Sequence, residues 1–244
     1  MDDPHAPGSD HDTSQAQASP DQERRAETRW PALTGLVVAL ALYALVSNPG
    51  TAALRYLAIA LVLLILLPLF VLNPHRLSRE TQWSRWMSIV LTSLLVVANQ
   101  INVLSVIGEL LSGTANGPRV LLTALQVWVT NVIAFGLLYW DLDRGGPVAR
   151  GTLSRDQLPP ADFAFPQDDH RDAVVEVTRQ SSQRGDWRPG FVDYLYVSLT
   201  NMMAFSPTDA MPLRTRTKMF MAVQALTGFI LLALVISRAV NILG

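Results

Sequence analysis

RVLLTALQVWVTNVIAFGLLYW, residues 119 to 140, holds no charged side chain after Arg119 and is followed at once by Asp141. An α-helix needs roughly 20 apolar residues to cross about 30 Å of hydrocarbon, so this run predicts a transmembrane helix. It ends on Tyr139-Trp140, an aromatic pair suited to a membrane interface. Upstream, the run from about Arg85 to Leu111 predicts another span, and Ser112-Gly113-Thr114-Ala115-Asn116-Gly117-Pro118 is the turn that joins the two as a hairpin.

The same reading extends outward in both directions. Trp30–Val46 and Thr51–Leu72 predict an earlier hairpin about the breakers Ser47-Asn48-Pro49-Gly50, with Trp30 at an interface and Pro68 kinking the last turn. Met219–Leu243 predicts the last span. Phe191–Phe205, about 15 residues, is too short for a comfortable crossing and suits a re-entrant or interfacial helix. The expected fold class is therefore an all-α membrane protein with about five transmembrane helices plus one short re-entrant or interfacial helix.

Composition agrees with that class. Half of the residues are hydrophobic and 16% are charged. The charges gather in residues 1 to 29, 74 to 85, 141 to 193 and 209 to 218. A net charge of -1 supplies no basic field for nucleic acid. The absence of cysteine excludes disulfides, thiolate nucleophiles and cysteine-bound metals. Lys218 is the only lysine among 19 basic residues, an arginine bias expected of a GC-rich bacterial genome.

Four regions follow. Residues 1–29 read as a disordered cytoplasmic tail, since they have no apolar periodicity to offset the entropy of ordering. Residues 30–140 form a four-helix membrane region of two hairpins. Residues 141–190 are a polar connector loop with Pro159-Pro160, Pro166 and a short strand or helix over Ala173–Val177. Residues 191–244 hold the short helix and the last span. Arg24-Arg25 precedes an apolar run too distantly for a twin-arginine signal, so no processing is expected. With five crossings the arginine-rich tail, the 74–85 loop and the 141–218 region share one side. The positive-inside rule then makes the N-terminus cytoplasmic, in a multi-pass protein of the plasma membrane.

Polar side chains within spans need a reason. Asn99, Asn102, Ser105 and Glu109 recur at three, three and four residues, which places them along one helix face. Such a face either lines an ion or proton path, with Glu109 as its titratable member, or bonds neighbouring helices, with Glu109 pairing Arg119 across the turn. Gln126, Thr130, Asn131, Gln224, Thr227, Ser237 and Asn241 suit interhelical hydrogen bonds, and Gly228 permits close helix approach. No nucleophile elbow, zinc-protease pair, P-loop or dinucleotide fingerprint is present, so no enzyme and no cofactor are expected. His5, His11 and the run Asp168-Asp169-His170-Arg171-Asp172 could hold a metal, but charge clusters in polar segments are ordinarily solvated and no metal is assigned.

Residues 193–212 read DYLYVSLTNMMAFSPTDAMP. This segment resembles the pore region of two-helix potassium channels, in which an Asp-x-Leu-Tyr-x-Ser pore helix leads to a Thr-Val-Gly-Tyr-Gly-Asp filter and then a proline. Asp193, Leu195, Tyr196, Ser198, Asp209 and Pro212 fall on matching positions. More closely, residues 191–243 resemble a group of uncharacterised bacterial integral membrane proteins. The channel resemblance implies a pore loop made of Asp193, Tyr196, Ser198, Thr200, Ala204, Phe205, Ser206, Pro207, Thr208 and Asp209. Ser206 and Thr208 replace the two filter glycines and Pro207 fixes its own φ, so the loop is degenerate and not potassium-selective.

Two functions remain open on the sequence. In the first, an ion-channel-like or transport-related protein passes a monovalent ion through a homo-oligomer in the lipid bilayer. In the second, a structural or interaction protein of the membrane uses the same short helix for packing. Channel loops of this kind enter from outside, whereas the charge rule places this one on the cytoplasmic face.

Overall fold

Among the described residues, the long apolar runs form helices. The computed structural model describes residues 27–28, 30–45, 52–71, 82–112, 117–169, 174–182, 185, 187–203 and 210–243. The helices are α1 (Trp30–Leu45), α2 (Ala52–Val71), α3 (Gln82–Ser112), α4 (Gly117–Leu142), α5 (Gly146–Thr152), α6 (Val175–Thr178), α7 (Phe191–Met202) and α8 (Thr215–Leu243). Three stretches, Arg85–Ser112, Pro118–Thr152 and Thr215–Val240, are long and apolar enough to cross a membrane. Trp30–Leu45 and Arg55–Leu66 are shorter apolar helices. Helices α3 and α8 begin three or four residues earlier than hydropathy alone marks, at Gln82 and Thr215. Backbone hydrogen bonding does not stop where apolar composition stops, so a polar first turn extends each helix.

Helix α4 is the centre of the molecule and packs against α1, α3, α7 and α8. Every residue from Val132 to Asp141 is buried. The helices around α4 are apolar on both sides. Trp86, Val90, Leu94, Val97, Ile101 and Leu104 are exposed along one face of α3, and Leu226, Phe229, Ile236 and Val240 are exposed on α8. Apolar surface of this extent requires a nonaqueous neighbour. The chain is a helical membrane protein.

Two glycines set the closest helix contacts. A β-carbon on Gly136 of α4 would lie 3.2 Å from the Leu195 Cα of α7, and one on Gly228 of α8 would lie 2.3 Å from the Met202 carbonyl oxygen. Helix α7 is thus clasped backbone to backbone by α4 and α8, as small residues permit. The hairpin of α1 and α2 is closed by Arg55, whose Nη2 donates to the Ala44 carbonyl at 2.8 Å.

The connector over 141–190 is more than a polar loop. Arg144 takes φ 49 and ψ 30, in the left-handed region, and Gly145 and Gly146 follow with φ 86 and 89, so the chain turns a sharp corner at the end of α4. A non-glycine residue resists such angles unless its surroundings hold it there. Beyond the corner, α5 leads to a two-stranded antiparallel pairing of β1 (Phe163–Ala164) with β2 (Met211–Pro212), in register Phe163 to Pro212. Phe163, Phe165, Trp187 and Tyr194 stack at centroid distances of 5.5 to 6.1 Å. These rings supply an apolar centre to a cap that closes the charged end of the bundle. The short element expected over Ala173–Val177 is the helix Val175–Thr178.

Candidate functional site

Chemistry-bearing residues gather at two levels: in the cap, and about half-way along the long helices.

The cap is organised by two buried aspartates. Asp143 Oδ1 accepts the backbone N–H groups of Asp162 and Phe163 at 2.6 and 3.2 Å, while its Oδ2 accepts the Tyr194 hydroxyl at 2.5 Å. Asp162 accepts Arg216 Nε and Nη2 at 2.8 and 2.6 Å and the Thr217 hydroxyl at 2.8 Å. Asp162 therefore fastens β1 to the start of α8. Charge-assisted bonds of this kind exceed neutral ones in strength, and both carboxylates have several donors. Arg144 in its left-handed corner donates to Asp168 at 2.5 Å and to the Phe163 carbonyl at 3.2 Å, and it lies over the Phe165 ring.

Arg150, 2% exposed, is the most deeply placed cation. Its Nη1 donates to the carbonyls of Trp140 and Asp143 at 2.9 and 2.7 Å, and its guanidinium lies 4.9 Å from the Tyr194 ring centroid. Among the described residues the Nη2 has no hydrogen-bond acceptor, and it faces the Glu27 carboxylate at 3.7 Å. Glu27 also accepts Trp140 Nε1 at 2.9 Å and the Phe191 N–H at 2.6 Å. Burial pushes the Glu27 carboxyl above its ordinary range, and Arg150, Trp140 and Phe191 offset part of that rise. Glu27 belongs to the segment expected to be disordered through residue 29. Two donors, Trp140 Nε1 of α4 and the Phe191 N–H of α7, and the Arg150 cation of α5 converge on its carboxylate.

The second level is a polar seam. The Asn99 side-chain oxygen accepts the hydroxyls of Tyr43 and Thr130 at 2.7 and 2.8 Å, and its amide donates to Asn131 at 2.9 Å. Asn131 in turn approaches Met202 Sδ at 3.2 Å. Gln224 of α8 accepts from Tyr139 and Asn201 at 2.8 and 2.9 Å and donates to Ser198 Oγ at 2.7 Å. The Ser198 hydroxyl donates in turn to the Val132 carbonyl at 2.7 Å. Asn201 donates as well to the Met221 carbonyl at 2.9 Å. Apart from the Asn99 cluster, this seam is the attachment of α7 to its neighbours.

Of the residues assigned to a pore loop, Asp193 caps its own helix, its Oδ2 accepting the Gly190 N–H at 2.7 Å. Tyr196 is 49% exposed and points away from the seam. Thr200 bonds back to the carbonyls of Tyr196 and Val197 in its own helix. Ser198 is the one that joins the seam. Ala204, Phe205, Ser206, Pro207, Thr208 and Asp209 lie outside the described residues. Along the expected polar face of α3, Asn99 and Asn102 are buried, whereas Ser105 bonds to its own helix at Ile101 and Glu109 is partly exposed. The face is therefore buried at Asn99 and Asn102 and partly exposed at Ser105 and Glu109.

Asp143, Asp162, Arg150, Glu27 and the three tyrosines were not among the sequence candidates. Tyr43 and Tyr139 sit in apolar runs, where an aromatic ring reads as interface or core, and nothing local marks the hydroxyl as a donor. Among the described residues no three His, Asp or Glu side chains converge so as to hold a metal ion. No family model matches the chain, and no curated protein or solved structure matches it either.

Proposed function

We propose that this chain is a five-crossing protein of the plasma membrane whose short helix α7 enters from the side of the cap, stops half-way and returns, and that it serves as a structural or interaction protein without an ion path of its own. The five crossings are α1, α2, α3, α4 and α8. The 12 residues of α7 span about 18 Å, little more than half of a hydrocarbon core of about 30 Å. Its end at Met202 meets Asn131 and Gly228, both near the middles of their helices, which supports the half-crossing. The arginines that flank the cap support a cytoplasmic N-terminus by the positive-inside rule.

One observation carries the non-conducting reading. The inward polar side chains of α7, Tyr194, Ser198 and Asn201, are all bonded to α4, α8 or the cap. Coordination of an ion needs oxygen atoms to replace its water shell, and here the Tyr194 and Ser198 hydroxyls are engaged with Asp143, Val132 and Gln224, while the Asn201 amide nitrogen is spent on Met221 and Gln224.

A pore shared between copies is the second reading. The outward stripe of α7, Val192, Tyr196 and Met203, is exposed and leads directly into residues 204–209, so a neighbouring copy could complete a path there. Ion flux through proteoliposomes of purified protein separates the two. Ion-tight vesicles, unchanged by Asp209→Asn, are expected; flux that this substitution alters would replace the structural reading with the pore. A reporter fused at Gly244 is expected outside the cytoplasm.

A further inference from the structure

A groove of about 520 Å³ opens between α3, α4 and α8 at the cap end of the bundle. Its walls are Trp86 and Ile89 of α3, Leu138 and Leu142 of α4 and Phe220 of α8, with Ser93 at its deep end and Arg85 and Arg216 at its mouth. Each helix contributes one part of this layout. On α3 no charged residue follows Arg85 until Glu109, and on α8 none follows Lys218 until Arg238. The arginines thus stand where charge gives way to hydrocarbon. From Arg85 to Ser93 the groove descends about 12 Å along α3.

We infer that this groove holds one anionic phospholipid, its phosphate between Arg85 and Arg216 and an acyl chain lying over Ile89, Leu138 and Phe220. Charge complementarity selects the headgroup. Arg216 is 44% exposed in its side chain, and its bonds to Asp162 and to the Leu142 carbonyl use Nε and Nη2, which leaves Nη1 for a phosphate oxygen. The carboxylates behind the groove are buried and engaged: Asp162 with Arg216 and Thr217, and Asp141 with the hydroxyls of Ser88 and Thr92 at 3.0 and 2.8 Å. Asp162 fixes Arg216 in place, and neither carboxylate lines the groove. Arg214 and Lys218, both exposed at the start of α8, strengthen the positive field around the mouth. A volume of this size is ordinary for a small-molecule site, and an amphiphile satisfies both of its ends. The inference needs the membrane location but not the choice between structural and conducting roles.

Native mass spectrometry of the full chain in a mild detergent, with equimolar phosphatidylglycerol and phosphatidylcholine, tests it. Wild type is expected to retain one phosphatidylglycerol in clear preference to phosphatidylcholine. Arg85→Gln should weaken that retention about fivefold, as one juxtamembrane arginine is expected to do. Ser93→Trp, which fills the deep end, should abolish it, and Arg214→Gln, outside the groove lining, should retain the one-lipid stoichiometry. Equal retention of the two lipids, or Arg85→Gln and Ser93→Trp both behaving as wild type, would overturn the site. Glycerol phosphate competing as well as the intact lipid would overturn the acyl-chain seat. Ion flux accompanied by unchanged lipid preference would remove the structural reading and leave this site standing.

Discussion

The Met202 carbonyl oxygen lies only 2.3 Å from where a β-carbon on Gly228 would stand, so the last helix meets the backbone at the end of α7 with no room for a side chain there. Gly228→Ala must push the two apart, and overpacking of that kind costs about 1–3 kcal/mol. Gly108 is the control, because a β-carbon there meets nothing within 4 Å. Thermal unfolding in detergent should show Gly228→Ala clearly destabilised. Gly108→Ala should be neutral or slightly stabilised, since alanine favours a helix over glycine.

Asn99 and Asn131 should be energetically coupled. The hydrogen bond between their side-chain amides joins α3 to α4 within the hairpin, and interhelical hydrogen bonds in membranes are worth about 0.6 kcal/mol on average and up to about 1.7 kcal/mol. A double-mutant cycle with Asn99→Ala and Asn131→Ala, read by unfolding in micelles, is expected to give a coupling in that range. Ser105→Ala, whose hydroxyl bonds to its own helix at Ile101, should cost little.

Arg150→Met should be the most damaging single change in the cap. It leaves the Glu27 carboxylate without its cation and two buried carbonyls without their donor, and breaking a buried ion pair costs about 3–5 kcal/mol. Adding Glu27→Gln should recover part of the loss, because the orphaned charge is gone. Arg150→Lys should not restore wild-type stability, since an ammonium cannot reproduce the planar fork over the Tyr194 ring.

Stability should also depend on pH through Glu27. Burial raises its folded-state pKa above the ordinary value of 4.5, so the folded protein holds this proton more tightly than the unfolded chain does. The stabilisation it contributes is complete below that ordinary value and is lost as pH rises through the raised one. Unfolding measured upward from about pH 4 should show this decline, and Glu27→Gln should flatten that part of the profile. A profile identical in the two proteins would place the Glu27 titration elsewhere.

The helices were legible because a bilayer imposes a length on apolar runs, and the run 119–140 meets it without help from any other residue. Gly228 was legible too, as a small residue in a polar-dotted helix. The cap was not. Asp143 and Asp162 bond across 51 and 54 positions of sequence, to Tyr194 and Arg216, and charge clusters near such residues look like solvated loop until the aromatic centre closes over them. Glu27 was hidden in the same way, since its partners Trp140 and Phe191 lie 113 and 164 positions further on. Periodicity reports on neighbours within a few turns and is silent about partners supplied by the fold.

The seam around Gln224 imposes an order on assembly. Translation delivers α1 through α4 first, and those helices can pair as they emerge, since Asn99 and Asn131 belong to one hairpin. Helix α7 finds Val132 already made, but the partners of Ser198 and Asn201 on its other side, Gln224 and the Met221 carbonyl, leave the ribosome 26 and 20 residues later. The Asn201 amide and the acceptor side of the Ser198 hydroxyl lack these partners until then. The last fifty residues are therefore built to dock as a pair of helices, and a ribosome stalled before Gln224 would leave α7 waiting outside the bundle.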